Sequence, residues 1–313
     1  MRAAAHINHV WGIVLAGGEG KRLQGFIQSK YLDPRPKQYT AIVGKRSMLR
    51  HTLDRVEHII PTKYLQIVVA EGHKKYLRKI LKEKEIKSVL FVPEDRESAV
   101  SIYLALSHIE CRDPQAVVAI FPSDHFITEE ERFMDYVEKA ASFIQQHSDY
   151  AVLLGIKPDE LNTQYGWIEP SKKFQLFEEN RFHKVLQFRE KPSPDEARQL
   201  FHQGCLWNSM VVVSRGDTLV KMYRQHLKCV YDAFKKVTKS YGTYVETQVT
   251  EDMFDVLPSK NFSKCILELI SENLYVMRVE GVHWSDWGSE DQIMKDLNFL
   301  GVSLPLSVTN SNS

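Results

Sequence analysis

Runs of consecutive apolar residues recur along the first half of the chain, separated by stretches with helical periodicity. Unbroken apolar runs, rather than an alternation of apolar and polar positions, are typical of strands buried on both faces of a parallel sheet. The runs predict strands at Val10–Ala16, Leu65–Ala70, Ser88–Val92, Ala116–Phe121 and Ala151–Ile156. The stretches between them predict helices at Ser47–Ile59, His73–Lys82, Ser98–Ile109 and Glu129–Gln146. This alternation indicates an α/β fold with a mixed, mostly parallel sheet and helices on both faces.

The rhythm changes in the second half of the chain. The pattern there predicts short strands at Tyr165–Pro170 and Phe182–Arg189, strands at Leu206–Val213 and Leu274–Val279, helical segments at Ser214–Lys239 and Val245–Val256, and a closing helix that ends at Leu300. No linker rich in proline, glycine or serine separates the halves. We therefore expect one domain over residues 1–302, with one half at 10–160, a smaller lobe at 161–300, and a disordered tail at 303–313.

Composition and charge exclude several functional classes. The 313 residues are 43% hydrophobic and 26% charged, which is ordinary for a soluble globular enzyme. A net charge of +1 gives no general attraction for nucleic acid or an anionic membrane. The four cysteines form no CxxC pair, which argues against a zinc site or a disulfide framework. The chain shows neither the apolar core of a signal peptide nor a run of about 18 apolar residues, so we expect a cytoplasmic protein.

The first predicted strand ends in a glycine-rich loop that two cations follow. Residues 16–22 read Ala-Gly-Gly-Glu-Gly-Lys-Arg. Glycines let a ligand approach backbone N–H groups, and neighbouring cations favour an anion, so the loop predicts a phosphate site. The motif GxxxxGK[ST] fails because Arg22 follows Lys21, and the dinucleotide fingerprint GxGxxG fails because Leu23 replaces its third glycine.

A second polar segment, residues 122–125, follows the predicted strand that ends at Phe121. Ligands of open α/β sheets bind beyond the carboxyl ends of the strands. The glycine-rich loop lies at the same end of its own strand. We therefore expect both segments at one edge of the sheet.

The loop, in the form LAGGxGxRL followed by Pro36-Lys37-Gln38, resembles that of the sugar-1-phosphate nucleotidyltransferases. The resemblance is closest to the mannose-1-phosphate guanylyltransferase branch and continues in chain order over most of residues 10–300. It implies a Rossmann-like nucleotide-diphospho-sugar transferase fold with a nucleotide-binding half and a sugar-binding lobe. Five further segments carry it: FPSDH (121–125), YGWIEP (165–170), FREKP (188–192), LWNSM (206–210) and HWSDWGS (283–289).

The resemblance also implies a reaction and the residues that perform it. An oxygen of a sugar-1-phosphate attacks the α-phosphorus of a nucleoside triphosphate and pyrophosphate leaves, with mannose-1-phosphate and GTP as the expected substrates and Mg²⁺ as the cofactor. The residues expected in catalysis are Arg22, Lys37, Asp124 and Lys191, and those expected to bind Mg²⁺ are Asp124 and Asp286. The residues expected to bind the nucleotide are Leu15, Ala16, Gly17, Gly18, Gly20, Arg22, Lys37 and Ser123. The residues expected to bind the sugar phosphate are Gly166, Glu190, Lys191 and Asn208.

Two departures from the family pattern bear on specificity. The usual RNTAP segment, which lies near the nucleobase in relatives, is replaced by residues 96–100 (Arg-Glu-Ser-Ala-Val), and the WNSG segment ends in Met210. The sequence therefore does not determine which base and which sugar the protein uses. One other hypothesis is a catalytically silent homologue that binds a nucleotide-sugar. Another is a dinucleotide-dependent oxidoreductase, but Leu23, in place of the third glycine of the dinucleotide fingerprint, argues against it. The sequence leaves the oligomeric state open, a homodimer included.

Overall fold

The computed structural model describes residues 9–31, 35–84, 86 and 88–302. Nine strands form the main sheet, and two short strands, β5 and β11, form a separate pair. The strands are β1 Val10–Ala16, β2 Leu65–Ala70, β3 Val89–Val92, β4 Val117–Pro122, β5 Phe126–Ile127, β6 Ala151–Ile156, β7 Gly166–Phe177, β8 Asn180–Glu190, β9 Leu206–Arg215, β10 Leu274–Val279 and β11 Trp284–Ser285. The predicted tail at residues 303–313 lies outside the described residues.

Helices connect most of these strands. They are α1 Gln24–Tyr31, α2 Met48–Val56, α3 Lys74–Lys84, α4 Glu97–Arg112, α5 Glu130–Gln146, α6 Pro194–His202, α7 Gly216–His226, α8 Lys228–Ser240, α9 Glu246–Val256, α10 Phe262–Cys265 and α11 Glu290–Leu300. Within the described part of the chain, none of them has the length and apolar character needed to cross a bilayer.

The main sheet has the strand order β3-β2-β1-β4-β9-β6-β10-β8-β7. Strands β8 and β9 pair antiparallel with every neighbour, so they run against the other seven. The sheet is therefore mixed and mostly parallel, as predicted. This arrangement places the carboxyl ends of β1 and β4, which are direct neighbours, at one edge.

Helices cover both faces of the sheet because its strands are apolar on both sides. Alternate residues of β4 enter opposite cores. Val117, Ala119 and Phe121 pack in the core that includes α2, α3 and α5. Val118 and Ile120 pack in the core that includes α4, α7 and α8. The predicted α/β architecture is confirmed.

The second half departs from the predicted elements. Strands β7 and β8 are long and form a hairpin, in which Glu178 and Glu179 both have positive φ, 47° and 64°. Two successive positive φ angles are typical of the tight hairpin turn whose twist suits antiparallel strands. The predicted helical segment at 214–239 is wrong at its start and its middle: β9 continues to Arg215, and Leu227, with φ −130° and ψ 52°, separates α7 from α8.

Three helices, α1, α6 and the four-residue α10, were not predicted. The signal for α6 is present in the sequence, because Ser193 and Glu196 form a capping box and Pro194 occupies the first helical position. Helix α1 has no comparable signal, since it is short and buries only Phe26 and Ile27. It packs in a third apolar cluster with residues of α11, so the first and the last helix of the described residues are in one core.

Candidate active site

The loop after β1, residues 17–20 (the glycine loop), is held by side chains from residues 38 and 39. Gly20 has φ 62°, which glycine adopts without strain. The side-chain amide of Gln38 donates to the carbonyl oxygens of Ala16, at 3.0 Å, and Gly18, at 2.7 Å. The hydroxyl of Tyr39 also donates to the Ala16 carbonyl, at 3.0 Å. Gln38 and Tyr39 were not among the predicted site residues, although they directly follow Lys37 in the sequence.

The segment after β4 joins the glycine loop through β1. Residue pairing places Leu15 beside Pro122. The backbone N–H and the hydroxyl of Ser123 both donate to the Leu15 carbonyl, at 3.1 Å and 2.6 Å. The two predicted polar segments therefore lie together at one edge of the sheet.

The pairing of β5 with β11 brings Asp124 and Asp286 into one region, although no sequence pattern indicated these two short strands. Phe126 lies opposite Ser285 in this antiparallel pair. Lys37 connects the two segments further: its Nζ lies 2.9 Å from Oδ2 of Asp124 and donates to the carbonyl oxygens of Asp286 and Trp287. Only 5% of Lys37 is exposed, so this ammonium group is a buried link.

The Asp124 carboxylate is held in its charged form. Burial by itself raises the pKa of Asp124, but the nearby Lys37 ammonium and His125 ring outweigh burial and bring that pKa below its ordinary value. The Asp124 side chain is still 37% exposed. It can therefore reach a ligand while Lys37 fixes its position.

The Asp286 carboxylate is held mainly through one oxygen. Its Oδ1 accepts hydrogen bonds from the hydroxyl of Tyr165 and the backbone N–H of Gly288, both at 2.8 Å. Its Oδ2 lies 3.9 Å from the guanidinium of Arg22, a side chain that is 60% exposed. Burial and the Asp286 charge raise the pKa of Tyr165, which keeps this phenol protonated as a donor.

Asp124 and Asp286 are oxygen donors of the type that Mg²⁺ prefers. Within the described ranges, no group of three or more His, Cys, Asp or Glu residues could hold a metal. Mg²⁺ commonly takes only one or two carboxylates and completes its octahedron with water and substrate phosphate. Oδ1 of Asp124 and Oδ2 of Asp286 are the oxygens that Lys37 and Tyr165 leave for such a ligand.

Trp287, which follows Asp286, has a strained backbone conformation, and its side chain is held by Asp296 of α11. Its φ is 47°, and its indole N–H donates to Oδ2 of Asp296 at 2.7 Å. His283 contacts the other oxygen of this buried carboxylate at 3.1 Å. The hydrogen bond to Asp296 raises the pKa of His283. Asp296 was not predicted as a site residue, because nothing in the sequence shows that α11 returns to Trp287.

Three of the predicted sugar-phosphate residues, Gly166, Glu190 and Asn208, lie side by side on β7, β8 and β9; we call them the sugar-side cluster. Gly166 pairs directly with Glu190. A Cβ atom on Gly166 would lie 2.9 Å from Oε2 of Glu190 and from Cζ of Phe188, and 3.3 Å from Cβ of Asn208. Any side chain at this position would force Glu190 and Phe188 to move. Burial raises the pKa of Glu190, against the opposing charge of Lys191.

Two adjoining cavities open beside these segments. The first, of about 350 Å³, extends from the glycine loop past Val92 and Ser98 to Met210 and Asn261; we call it the loop cavity. The second, of about 490 Å³, is the charged cavity, because Arg22, Lys37 and Lys191 line it. The two share Gly18, Gly20, Asp95 and Asp124 in their walls.

Most predicted site residues line this double cavity. Those in the loop cavity are Leu15, Gly17, Gly18, Gly20, Ser123 and Asp124. Those in the charged cavity are Gly18, Gly20, Arg22, Lys37, Asp124 and Lys191. Ala16, Gly166, Glu190, Asn208 and Asp286 belong to neither wall. Asn208 is buried, and its Oδ1 accepts the backbone N–H of Met210 at 3.1 Å.

Known proteins resemble the chain over nearly its whole length. The family model of nucleotidyl transferases matches residues 11–301. A mannose-1-phosphate guanylyltransferase from Salmonella montevideo is 27% identical over 286 residues, which cover 88% of this chain and 58% of that protein, so the chain spans less than three fifths of its length.

Two solved structures share the fold. A mannose-1-phosphate geranyltransferase from Thermus thermophilus has a TM-score of 0.77 at 21% identity, covering 90% of this chain and 76% of that one. An inositol-1-phosphate CTP transferase from T. maritima has a TM-score of 0.53 at 14% identity, covering 94% and 98%. The nucleotidyltransferase-like fold expected from the sequence motifs is thereby confirmed.

Proposed function

This chain belongs to the nucleotidyl transferase family, and on that premise we propose that it joins mannose-1-phosphate to GTP. The sugar-phosphate oxygen forms a bond to the α-phosphorus, the bond between the α- and β-phosphates breaks, and pyrophosphate leaves with its electron pair. Two anions must meet in this reaction, so the enzyme mainly neutralises charge and aligns the reacting groups. The observation that carries the proposal is the double cavity, which combines a glycine loop, four cationic side chains and several carboxylates, among them that of Asp124.

The loop cavity suits the nucleoside, and the charged cavity suits the phosphates. Gln38 and Tyr39 fix the carbonyl side of the glycine loop, which leaves Gly18 open toward the cavity: a Cβ there would meet no atom within 4 Å. Arg22, exposed beside the loop, would contact the triphosphate through charge-assisted hydrogen bonds. Lys37 would act mainly by holding Asp124, since its ammonium already contacts that carboxylate and two carbonyl groups.

The sugar phosphate would approach from the side of Lys191. This residue lines the charged cavity together with Arg22 and Asp124. Its backbone has φ 49°, and its N–H donates to the Tyr165 carbonyl at 3.1 Å. Lys191 would neutralise the sugar phosphate, and Glu190, next to it in the chain, would accept hydrogen bonds from sugar hydroxyls.

Asp124 and Asp286 would hold Mg²⁺, which would neutralise the triphosphate and the charge that develops on the leaving pyrophosphate. Tyr165 and Gly288 orient one of these carboxylates, and Lys37 orients the other. These contacts would hold both carboxylate groups in place before substrate binds. Such preorganisation is the main source of electrostatic catalysis.

The test is release of pyrophosphate by the purified protein over a grid of nucleotides and sugars. GTP, ATP, UTP, CTP and dTTP are combined with mannose-1-phosphate, glucose-1-phosphate and other sugar-1-phosphates, with Mg²⁺ and with a chelator. The expected result is Mg²⁺-dependent release that requires both GTP and mannose-1-phosphate. Release with another pair corrects the specificity, and silence across the grid despite nucleotide binding contradicts the proposed transfer and favours a silent homologue.

A further inference from the structure

Met210 occupies a backbone conformation that side chains seldom adopt. Its φ is 60°, in the left-handed region, where a Cβ atom meets the following carbonyl and only glycine is free of strain. Glycine is also the residue that the family pattern WNSG places here. The conformation is fixed by the side chain of Asn208, which accepts the Met210 backbone N–H, and by a shift in register of β9 against β6 between Leu153 and Gly155.

The Met210 side chain forms part of the wall of the loop cavity. It lines this cavity together with Val92, Pro122 and Asn261, and it does not line the charged cavity. Its sulfur lies 3.3 Å from the hydroxyl of Ser263 on α10. It also lies 3.6 Å from the side-chain nitrogen of Asn208 on β9. Both contacts are made by the sulfur, so the thioether is held between Asn208 on β9 and Ser263 on α10.

Because its φ is positive, methionine at position 210 makes the fold less stable than glycine would. Non-glycine residues with positive φ persist where the surroundings impose them, and they cluster at functional sites. Three more, Glu97, Lys191 and Trp287, lie in the segments that surround the double cavity. The strain at Met210 therefore points to a benefit in ligand binding rather than in folding.

We propose that Met210 is a selectivity residue for the nucleoside triphosphate. Its thioether chain fills part of the loop cavity and limits which base and ribose this cavity accepts. The inference rests on the proposed function, because it assigns the loop cavity to the nucleoside. It goes beyond that function in naming the residue through which this chain, unlike the glycine pattern of its family, restricts the cavity.

Binding measurements on three variants test the proposal without requiring turnover. Dissociation constants for GTP, ATP, UTP, CTP and dTTP are measured by calorimetry, without sugar phosphate, for the wild type and for Met210→Gly, Met210→Ala and Met210→Leu. Loss of apolar contacts in a specificity pocket changes discrimination by roughly tenfold or more. We expect discrimination among the five nucleotides to fall by about this factor in the glycine and alanine variants, whereas leucine, of similar volume, retains it.

Comparing the alanine and glycine variants also separates the effect of the Met210 side chain from that of its backbone conformation. Both remove the thioether, but only glycine relieves the positive φ, so Met210→Gly should have a higher melting temperature than Met210→Ala. Glu178→Gly, at the tip of the β7–β8 hairpin, is the matched control: it relieves a positive φ of 47° outside both cavities and should leave nucleotide binding unchanged.

Two results would overturn the proposal. One is unchanged discrimination in both small variants. The other is unchanged nucleotide binding with an altered KM for the sugar phosphate, which would place Met210 on the sugar side. Failure of the proposed function looks different: a wild-type protein that binds none of the five nucleotides refutes the nucleotide assignment itself, before any variant is compared.

Discussion

The glycine loop and the sugar-side cluster are both built around glycine, but for opposite physical reasons. Gly18 of the loop faces open space, and a few side chains hold the loop by its carbonyl groups. Gly166 of the cluster is enclosed by Glu190 and Phe188, and the pairing of β7 with β8 fixes its position. The first glycine gives a ligand access to the backbone, and the second lets three strands pack closely. A motif alone does not distinguish these two roles.

The largest expected effect is on turnover, from loss of the Lys37 ammonium group beside the glycine loop. Lys37→Met removes the ammonium that contacts Asp124 and the carbonyl groups of Asp286 and Trp287. We expect turnover to fall by roughly 10²–10³-fold, the effect of losing one preorganised electrostatic element. Steady-state pyrophosphate release measures this, with Lys236→Met, an exposed lysine of α8, as the control. Near-normal turnover would show that Asp124 does not need Lys37.

Exchanging each glycine for alanine sharpens the comparison directly. Gly166→Ala should lower the free energy of unfolding by about 1–3 kcal/mol, since its Cβ would overpack the cluster. Gly18→Ala should change that free energy by less than about 0.5 kcal/mol and raise the KM for the nucleotide instead. Urea unfolding and two-substrate kinetics on both variants provide the measurements. Equal losses of stability in the two would contradict the distinction.

The smallest effect concerns the support behind Trp287. The hydrogen bond to Asp296 raises the pKa of His283, so protonated His283 stabilises the fold below its ordinary pKa of about 6.5. This contribution is lost as the pH rises through the raised pKa. Between pH of about 6 and about 9, unfolding free energy should decline more in the wild type than in His283→Gln. Parallel pH curves for the two proteins would exclude the pair as a source of stability.

The sequence predicted what depends on periodicity and on strand ends. The apolar runs located the central strands, and the polar segments after β1 and β4 were expected at one edge because the strands are parallel. The pairing of β5 with β11 could not be predicted, since strands of two residues carry no periodic signal. This pairing brings Asp124 to Asp286, and the return of α11 places Asp296 behind Trp287. Both depend on tertiary packing.

Within the charged cavity, the proposed function assigns Arg22 to the triphosphate and Lys191 to the sugar phosphate. The most direct test is two-substrate kinetics of Lys191→Ala, because Lys191 lines the charged cavity and is assigned to the sugar phosphate alone. Loss of one charge-assisted hydrogen bond should raise the KM for mannose-1-phosphate roughly 10–100-fold and leave the KM for GTP nearly unchanged. If only the GTP constant moves, the assignment of the two phosphates is wrong.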